Sequence, residues 1–188
     1  MRQSDLFDAP GLPGLSYETG VIAPGEEAAV LAGIEGVPLE PFRFQGWLGK
    51  RQTASFGWRY DFDDASFART EPIPDFLLPV REKAALFSGL DAAELVQVLV
   101  TRYDPGAGIG WHRDRLVFEH VVGVSLGVAA TMRFRRRTAG GFERHAVLLE
   151  RGSAYHLSGE ARHGWEHSIA EMEATRWSVT FRSLSGTG

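Results

Sequence analysis

The second half of the chain is a series of short β-like runs, and this series constrains the fold more than any other feature. About eight runs rich in Val, Ile, Thr and aromatic residues alternate with glycine-containing turns: VQVLVTRY, GIGWHRD, VVGVSLG, TMRFRRR, HAVLLE, SAYHLS, WEHSI and TRWSVTFR. In the fourth run, Met132 and Phe134 alternate with Arg133 and Arg135, which predicts one buried and one exposed face. Short strands with turns of this kind are typical of a barrel or a double-sheet jelly roll.

The first half of the chain predicts an N-terminal extension to this β domain. Residues 1–16 are rich in Gly, Pro and Asp without periodicity, which indicates a tail. We expect a strand over 17–22, helices over 24–35 and 76–87, and a short helix capped by Asp91. At 188 residues the chain suits one domain. That domain is expected to span 17–188, with helices and a lid in 17–97 and the β core in 98–182.

A His-x-Asp triplet, His112 and Asp114, ends the stretch RYDPGAGIGWHRD. If this stretch is a β-strand, the two side chains share one face and lie about 6.6 Å apart, so both can reach one metal ion. His167 is a candidate third ligand, and two histidines with one carboxylate suit a non-haem Fe(II) oxygenase site. The alternative is an ordinary solvated His–Asp pair, because the triplet alone is a weak signal. His163 and His167 are a poorer zinc pair, since Gly164 between them disfavours a helical turn.

The composition narrows the metal and the compartment. The chain has no cysteine, so a metal must be held by His and carboxylate side chains, which favours iron over thiolate-bound structural zinc. The absence of cysteine also excludes a disulfide framework, and the N-terminus lacks the apolar segment of a signal peptide. No apolar run is long enough to span a membrane. We therefore expect a cytoplasmic protein that does not bind membranes.

Positive charge is concentrated in the part of the chain between Arg102 and Arg151. The chain carries a net charge of −4, but this part contains nine arginines and five acidic residues. Two interpretations remain open, a solvated outer face of a sheet or a surface that contacts phosphates. Residues 42–61 pose a similar choice, because interleaved rings and cations suit either packing or a surface that stacks bases.

The last run, TRWSVTFR, places Arg176, Ser178, Thr180 and Arg182 on one face of a strand. This face is either an ordinary solvated one or the lining of the jelly-roll interior. In the second case the guanidinium groups are buried and require anionic partners. The Cα atoms of Arg176 and Arg182 are expected about 20 Å apart, which leaves space for a small dicarboxylate.

These residues together resemble the AlkB-type Fe(II)- and 2-oxoglutarate-dependent dioxygenases. The resemblance rests on an ordered series: Tyr103 in RYDPG, His112-x-Asp114, the VVGVSLG run, His167 in SGEARHGWEH, and Arg176 followed by Arg182. It implies a double-stranded β-helix, Fe(II) bound by His112, Asp114 and His167, and 2-oxoglutarate and O2 as co-substrates. Arg176 resembles the residue that binds the distal carboxylate of 2-oxoglutarate, assisted by Tyr103. Ser178 and Arg182 match positions near the co-substrate and the metal.

The resemblance also implies oxidative dealkylation of N-alkylated bases in nucleic acid, with DNA expected first and RNA as an alternative. Residues 50–60 resemble the family's nucleotide-recognition lid. The candidate substrate contacts are Arg51, Trp58, Tyr60, Trp111 and Arg115, and a monomer is expected. Other open alternatives are a related oxygenase acting on a protein, a tRNA modification or a small metabolite, and a non-catalytic jelly roll that binds an anion through its arginines.

Three positions depart from the family pattern. Thr101 and Ser178 replace asparagines near the oxoacid, and a water molecule can bridge the shortened side chains. Leu116 stands where the family often has an acidic residue that contacts the target base. Recognition of an exocyclic amino group by that position is therefore in doubt.

Overall fold

The structure is a computed structural model that describes residues 11–186. Within this range the chain forms thirteen strands and three α-helices. The helices are α1 (Pro24–Glu35), α2 (Leu78–Ser88) and α3 (Gly159–His163). The strands are β1 (Leu15–Glu18), β2 (Glu40–Phe44), β3 (Trp47–Phe56), β4 (Trp58–Tyr60), β5 (Phe67–Arg69), β6 (Gln97–Tyr103), β7 (Ile109–His112), β8 (Phe118–Gly127), β9 (Ala130–Thr138), β10 (Gly141–Leu149), β11 (Ala154–Leu157), β12 (Glu166–Ile169) and β13 (Arg176–Leu184).

Two antiparallel sheets make up the β core. The larger has the order β1-β11-β8-β13-β6-β3-β2, and the smaller has the order β10-β9-β12-β7. Side chains from both sheets pack together in one apolar cluster that includes Val121, Met132, Phe134 and Ile169. The sheets therefore face each other, which is the arrangement of a double-sheet jelly roll. The prediction of a jelly roll is confirmed, and so are all eight runs from which it was made.

The helices cover the outer face of the larger sheet. Val30 and Ile34 of α1 and Val80 and Ala84 of α2 pack on apolar residues of β6, β8 and β13. Glu27 of α1 is buried, and its carboxylate accepts hydrogen bonds from the backbone N–H of Gly127 and from Arg151. One face of the larger sheet is therefore closed by helices, and the other is left for the interior between the sheets.

The predicted helix over 24–35 is confirmed, and the helix expected over 76–87 begins slightly later, at Leu78, after a 3-10 turn. Asp91 caps a 3-10 turn, not an α-helix, by accepting a hydrogen bond from Ala93 N at 2.8 Å. None of the helices formed by residues 11–186 is both long and apolar enough to cross a membrane.

Two boundaries of the sequence-based prediction were wrong. The first strand covers Leu15–Glu18 and not 17–22, and Leu12 before it is buried, so residues 11–16 belong to the packed fold. The strand is held by pairing with β11, a contact that the Gly- and Pro-rich sequence does not reveal. Residues 1–10 of the predicted tail lie outside the described residues. In the part of the chain predicted to form the helices and the lid, β3 pairs with β6 within the larger sheet.

Residues 50–60 belong to two hairpins, β2–β3 and β4–β5, which together we call the lid. The turn between β2 and β3 has left-handed backbone angles at both Gln45 (φ 46°) and Gly46 (φ 81°), as a two-residue type I′ turn requires. Asp63, in the loop between β4 and β5, accepts a hydrogen bond from Gly46 N at 3.0 Å. This bond ties the tip of one hairpin to the other hairpin.

Candidate active site

The three predicted metal ligands come together between the two sheets. His112 ends β7, and its register partner on the neighbouring strand β12 is His167. Asp114 follows two residues after the end of β7, and one potential ligand atom from each of the three side chains lies within 4.8 Å of the others. The expectation that His112 and Asp114 share a strand was wrong, because the chain leaves the sheet after His112. Asp114 reaches the site from the following loop.

The Asp114 carboxylate is fixed by an arginine. Arg182 Nε and Nη2 both donate to Asp114 Oδ1, at 3.1 and 2.8 Å. Burial alone would raise the pKa of Asp114, but the Arg182 guanidinium and the nearby histidines outweigh burial and hold the pKa well below its usual range. Asp114 is therefore an anion at neutral pH.

Both histidines are neutral at physiological pH. Burial, followed by repulsion from His112, lowers the pKa of His167 to about 3, and burial also lowers the pKa of His112. His112 Nδ1 lies 2.9 Å from the Gly110 carbonyl oxygen, which accepts a hydrogen bond from it. The Nε2 lone pair of His112 is then free to bind a cation. A neutral imidazole pair with one carboxylate is the protonation state that a divalent metal needs.

Arg176 lies at the other end of the interior face of β13. It is 1% exposed, and its Nε and Nη2 donate to Ser125 Oγ at 3.2 and 3.1 Å. Its Nη1 is buried and has no hydrogen-bond partner among the described residues. An unpaired, buried guanidinium nitrogen is costly unless an acceptor occupies the space beside it. The arrangement fits a carboxylate ligand.

Tyr103 and Ser178 lie close to Arg176 on the same interior surface. Tyr103 is the register partner of Arg176 on β6, and its ring centroid is 5.2 Å from the guanidinium carbon. Ser178 pairs with Thr101, and both residues line the cavity. The face of β13 that carries both arginines is therefore interior, and the alternative of a solvated outer face is wrong.

One cavity of about 840 Å³ connects the three predicted ligands to the buried arginines. Its volume lies in the upper part of the usual range for small-molecule sites, which leaves space for a small dicarboxylate and a second ligand. Residues of the lid close one side of the cavity. Arg51 is among them, and its guanidinium carbon lies 3.8 Å from the Phe42 ring centroid. Burial lowers the pKa of Arg51 without neutralising it.

Four of the five predicted substrate contacts line this cavity, and Trp58 does not. Tyr60 and Arg115 line it beside Arg51, with the Arg115 guanidinium 4.9 Å from the Tyr60 ring. Trp58 instead stacks on Phe67, with ring centroids 4.8 Å apart and planes 15° from parallel. Trp111 borders the cavity, but its ring lies 4.4 Å from the Arg135 guanidinium on the opposite side of β7 from His112. Alternation along β7 places neighbouring side chains on opposite faces.

This geometry gives different expected results for two lid aromatics. Trp58→Ala should lower the free energy of unfolding by about 2 kcal/mol, because it removes a ring that stacks on Phe67, and should leave 2-oxoglutarate affinity unchanged. Tyr60→Ala should weaken binding of a base-containing ligand by about 1 to 3 kcal/mol if bases stack there. Thermal unfolding and ligand titration separate the two. Equal loss of ligand affinity in both variants, with no change in stability, would contradict the assignment.

Sequence reasoning missed two residues that support the site. Gln97 accepts a hydrogen bond from Arg182 Nη1 at 3.0 Å, so all three guanidinium nitrogens of Arg182 are engaged. Arg162 is 2% exposed, and its Nη2 donates to the carbonyl oxygens of Arg115 and Phe118, each at 2.6 Å. Gln97 could have been found, because it occupies the same face of β6 as Thr101 and Tyr103, which line the interior. Arg162 gives no such signal, since its contacts are with distant backbone.

The remaining histidines stand apart from the three candidate ligands. Helix α3 ends at His163, so His163 and His167 do not share a helix, and His163 Nε2 instead lies 3.0 Å from Glu119 Oε1. His120 and His156 share a hydrogen bond of 3.0 Å between neighbouring strands. Leu116, in the position where an acidic residue was expected, is 79% exposed.

Comparison with known proteins identifies the family. The model of the 2OG-Fe(II) oxygenase superfamily matches residues 39–182, which include the smaller sheet, the larger sheet apart from β1 and the end of β13, and all three candidate ligands. The chain belongs to this superfamily. Members use Fe(II), 2-oxoglutarate and O2, so the cofactor prediction is confirmed, as is the prediction of a 2-oxoglutarate-dependent dioxygenase domain.

The relatives of this oxygenase domain are of the AlkB type. They include the alkylated DNA repair protein ALKBH8 homolog of Arabidopsis thaliana, 26% identical over 84% of the chain and 51% of the relative. The tRNA (carboxymethyluridine(34)-5-O)-methyltransferase ALKBH8 of Mus musculus is 28% identical over 84% of the chain and 24% of the relative. The alpha-ketoglutarate-dependent dioxygenase AlkB of Salmonella typhimurium is 29% identical over 70% of the chain and 68% of the relative. The chain thus spans about half or less of the two ALKBH8 relatives.

A solved structure has the same fold. OsALKBH1 superposes with a TM-score of 0.70 and 17% identity, covering 91% of this chain and 97% of that one. The AlkB-type resemblance inferred from the motif series is therefore confirmed.

Proposed function

We propose that the oxygenase oxidises an alkyl carbon attached to a base nitrogen in nucleic acid. In this proposal His112, Asp114 and His167 hold Fe(II), and Arg176 binds the distal carboxylate of 2-oxoglutarate with help from Tyr103. The observation that carries the proposal is the buried Arg176 Nη1, which has no partner among residues 11–186, in the same cavity as a neutral histidine pair and an ionised carboxylate. The buried arginine nitrogen suits the distal carboxylate of the oxoacid, and the two histidines with Asp114 suit a metal ion that binds the other end of the oxoacid.

The reaction consumes one O2 and one 2-oxoglutarate for each carbon oxidised. One oxygen atom enters succinate as CO2 is lost, and the other enters the C–H bond of the alkyl group. The resulting N–CH2OH group loses its hydroxyl proton and breaks at the C–N bond, so that formaldehyde leaves and the electron pair of that bond returns to the base nitrogen. Bound iron supplies the oxidising chemistry. The residues of the chain orient the oxoacid, keep the carboxylate ligand ionised and hold the base near the metal.

Nucleic acid is favoured as the substrate by the lid side of the cavity. Arg51 and Arg115 stand beside aromatic rings there, an arrangement that suits a base flanked by phosphates. The names of the relatives are consistent with this class, since one refers to repair of alkylated DNA and another to tRNA. DNA as the polymer, and a monomer as the active form, are the narrower parts of the proposal.

A second candidate is oxidation of a modified uridine in tRNA, and Leu116 favours it. An acidic side chain at this position would accept a hydrogen bond from the exocyclic amino group of adenine or cytosine, whereas the leucine is apolar and 79% exposed. Uracil has no exocyclic amino group, so a leucine in place of an acidic residue removes no hydrogen bond to this base. The ALKBH8 relative in mouse is named for a carboxymethyluridine in tRNA.

Parallel assays of the iron-loaded protein test both candidates. Oligonucleotides carrying 1-methyladenine or 3-methylcytosine, and a tRNA anticodon stem-loop carrying a carboxymethylated uridine, would each be supplied with 2-oxoglutarate. Succinate release and the mass of the modified base report turnover. Loss of about 14 mass units per methyl group, which is the mass of CH2, together with formaldehyde release supports dealkylation. A gain of one oxygen on the uridine with no change in the methylated bases would replace the first candidate by the second.

A further inference from the structure

The outer face of the smaller sheet carries a basic surface that the chemistry in the cavity does not use. Arg133, Arg135 and Arg137 of β9 point away from the interior, because Met132 and Phe134 between them are buried. The pairing of β9 with β10 places one more arginine and one ring on the same face. We call this surface the arginine face, and its members are Arg133, Arg135, Arg137, Arg144, Trp111 and Phe142.

Cations and rings alternate across this face. The Arg135 guanidinium lies 4.4 Å from the Trp111 ring centroid and 4.8 Å from that of Phe142. Arg133 lies 5.3 Å from the Trp111 ring, and Arg144 lies 5.6 Å from the Phe142 ring. Stacking on rings fixes the direction of the guanidinium groups and leaves their edge N–H groups available for hydrogen bonds.

The positive charge of the face is not compensated by the protein. Arg135 donates to Glu166 at 2.6 Å, but the exposed Arg133, Arg137 and Arg144 make no ion pair with any residue between 11 and 186. Arg144 stands directly opposite Arg135, and like charges in opposed positions of a sheet are destabilising. An excess of three positive charges on one face contrasts with the net charge of −4 for the chain. Such a face is suited to an anionic partner.

The face begins at the cavity. β7 is the edge strand of the smaller sheet, and its His112 points into the cavity while Trp111 lies on the arginine face and borders the cavity mouth. From β7 to β10 the sheet extends over three strand spacings, about 14 Å. A polymer that leaves the cavity over the edge at β7 therefore meets the arginines next.

We propose that the arginine face binds the backbone of single-stranded nucleic acid that flanks the nucleotide in the cavity. This inference rests on the proposed function, since it requires a polymeric substrate. Phosphates would accept from the free edges of Arg133, Arg137 and Arg144, and unpaired bases would stack on the guanidinium planes and on the Phe142 ring. Bases inside a duplex are not available for such stacking.

The test compares Arg133→Gln/Arg137→Gln/Arg144→Gln with wild type. Anisotropy of a labelled, unmodified single-stranded oligonucleotide is measured from low to high salt with 2-oxoglutarate and Mn(II) present. Each lost phosphate contact should reduce the salt slope of log K by about 0.7, so the triple variant should lose about 2 in slope and bind about a hundredfold more weakly at 0.1 M salt. Its melting temperature should stay equal or rise, because repulsion between arginines is removed.

Arg136 provides a matched control on the same strand, because Glu143 and Glu160 already pair with it. Arg136→Gln should leave the salt slope unchanged, whereas Arg137→Gln should lower it. An unchanged slope in the triple variant, or tighter binding of polyglutamate than of the oligonucleotide, would overturn the proposal. The proposal would also be overturned if the triple variant melted at so low a temperature that unfolding explained its lower affinity.

A second readout separates this inference from the proposed function. Oxidation of an N-methylated mononucleotide, which is too small to reach the arginine face, should be the same in the triple variant and in wild type. If wild type oxidises modified oligonucleotides and the triple variant does so with the same KM, the arginine face is not a docking surface and the proposed function stands. If wild type neither binds nor oxidises nucleic acid, the proposed function itself fails.

Discussion

Replacing Asp114 with alanine is expected to abolish turnover and to weaken binding of Fe(II) or Mn(II) by at least about a hundredfold. Asp114 is the one carboxylate in the group of three candidate ligands, so its loss removes both the negative charge and one ligand atom. Two neutral histidines alone bind a hard divalent ion weakly. Isothermal titration with Mn(II) under anaerobic conditions measures the affinity, and succinate release measures turnover.

The Asp114 variant needs a stability control, because it also leaves Arg182 without its carboxylate partner. Removal of one partner of a buried ion pair costs about 3 to 5 kcal/mol. Asp114→Asn keeps the volume and one acceptor for Arg182, so it should melt closer to wild type while still losing metal affinity. Asp104→Ala, which removes a partly exposed carboxylate that pairs with Arg102, is the matched control and should keep wild-type metal affinity. Wild-type Mn(II) affinity in a folded Asp114→Ala protein would contradict the ligand assignment.

Much of this architecture follows from local pattern in the sequence. Glycine-containing turns separate the runs of the second half, so the number of strands there was predictable, and the alternation in TMRFRRR also indicated which face is buried. The interior position of Arg176 was predictable in a different way. Two arginines on the same face of a strand as Ser178 and Thr180 require either solvent or buried anions, and the ordered motif series selected the second choice.

What the sequence did not reveal has a common physical cause, which is that it depends on contacts between distant segments. Trp111 was predicted as a substrate contact and lines the cavity, but its contacts with Arg133 and Arg135 of another strand were not predicted. Trp58 was predicted as a substrate contact because rings near cations suit bases, and the structure adds that it stacks on Phe67 from the next hairpin strand and does not line the cavity. Arg162 donates to backbone carbonyls more than forty residues away in sequence. Composition and spacing carry no signal for such pairings.

Replacing Arg176 with methionine is expected to raise the apparent KM for 2-oxoglutarate by about thirtyfold to several thousandfold, with little change in metal affinity. A buried contact between an arginine and a carboxylate is worth about 2 to 5 kcal/mol when one partner is removed. Methionine fills much of the space of the arginine stem and needs no hydrogen-bond partner, so the fold should tolerate it. The KM is obtained from succinate formation over a range of 2-oxoglutarate concentrations.

Arg176→Lys sharpens the interpretation, because it keeps the charge and removes the planar group that allows two parallel hydrogen bonds. Its KM should fall between those of wild type and Arg176→Met. Ser125→Ala tests whether Ser125 orients Arg176. Ser125 Oγ accepts hydrogen bonds from Arg176 Nε and Nη2, which leaves Arg176 Nη1 for the ligand. That variant should change KM less than Arg176→Lys does. A KM of Arg176→Met within about twofold of the wild-type KM would be a change smaller than the loss of one hydrogen bond to a charged group would cause. In that case Arg176 Nη1 would have no role in co-substrate binding.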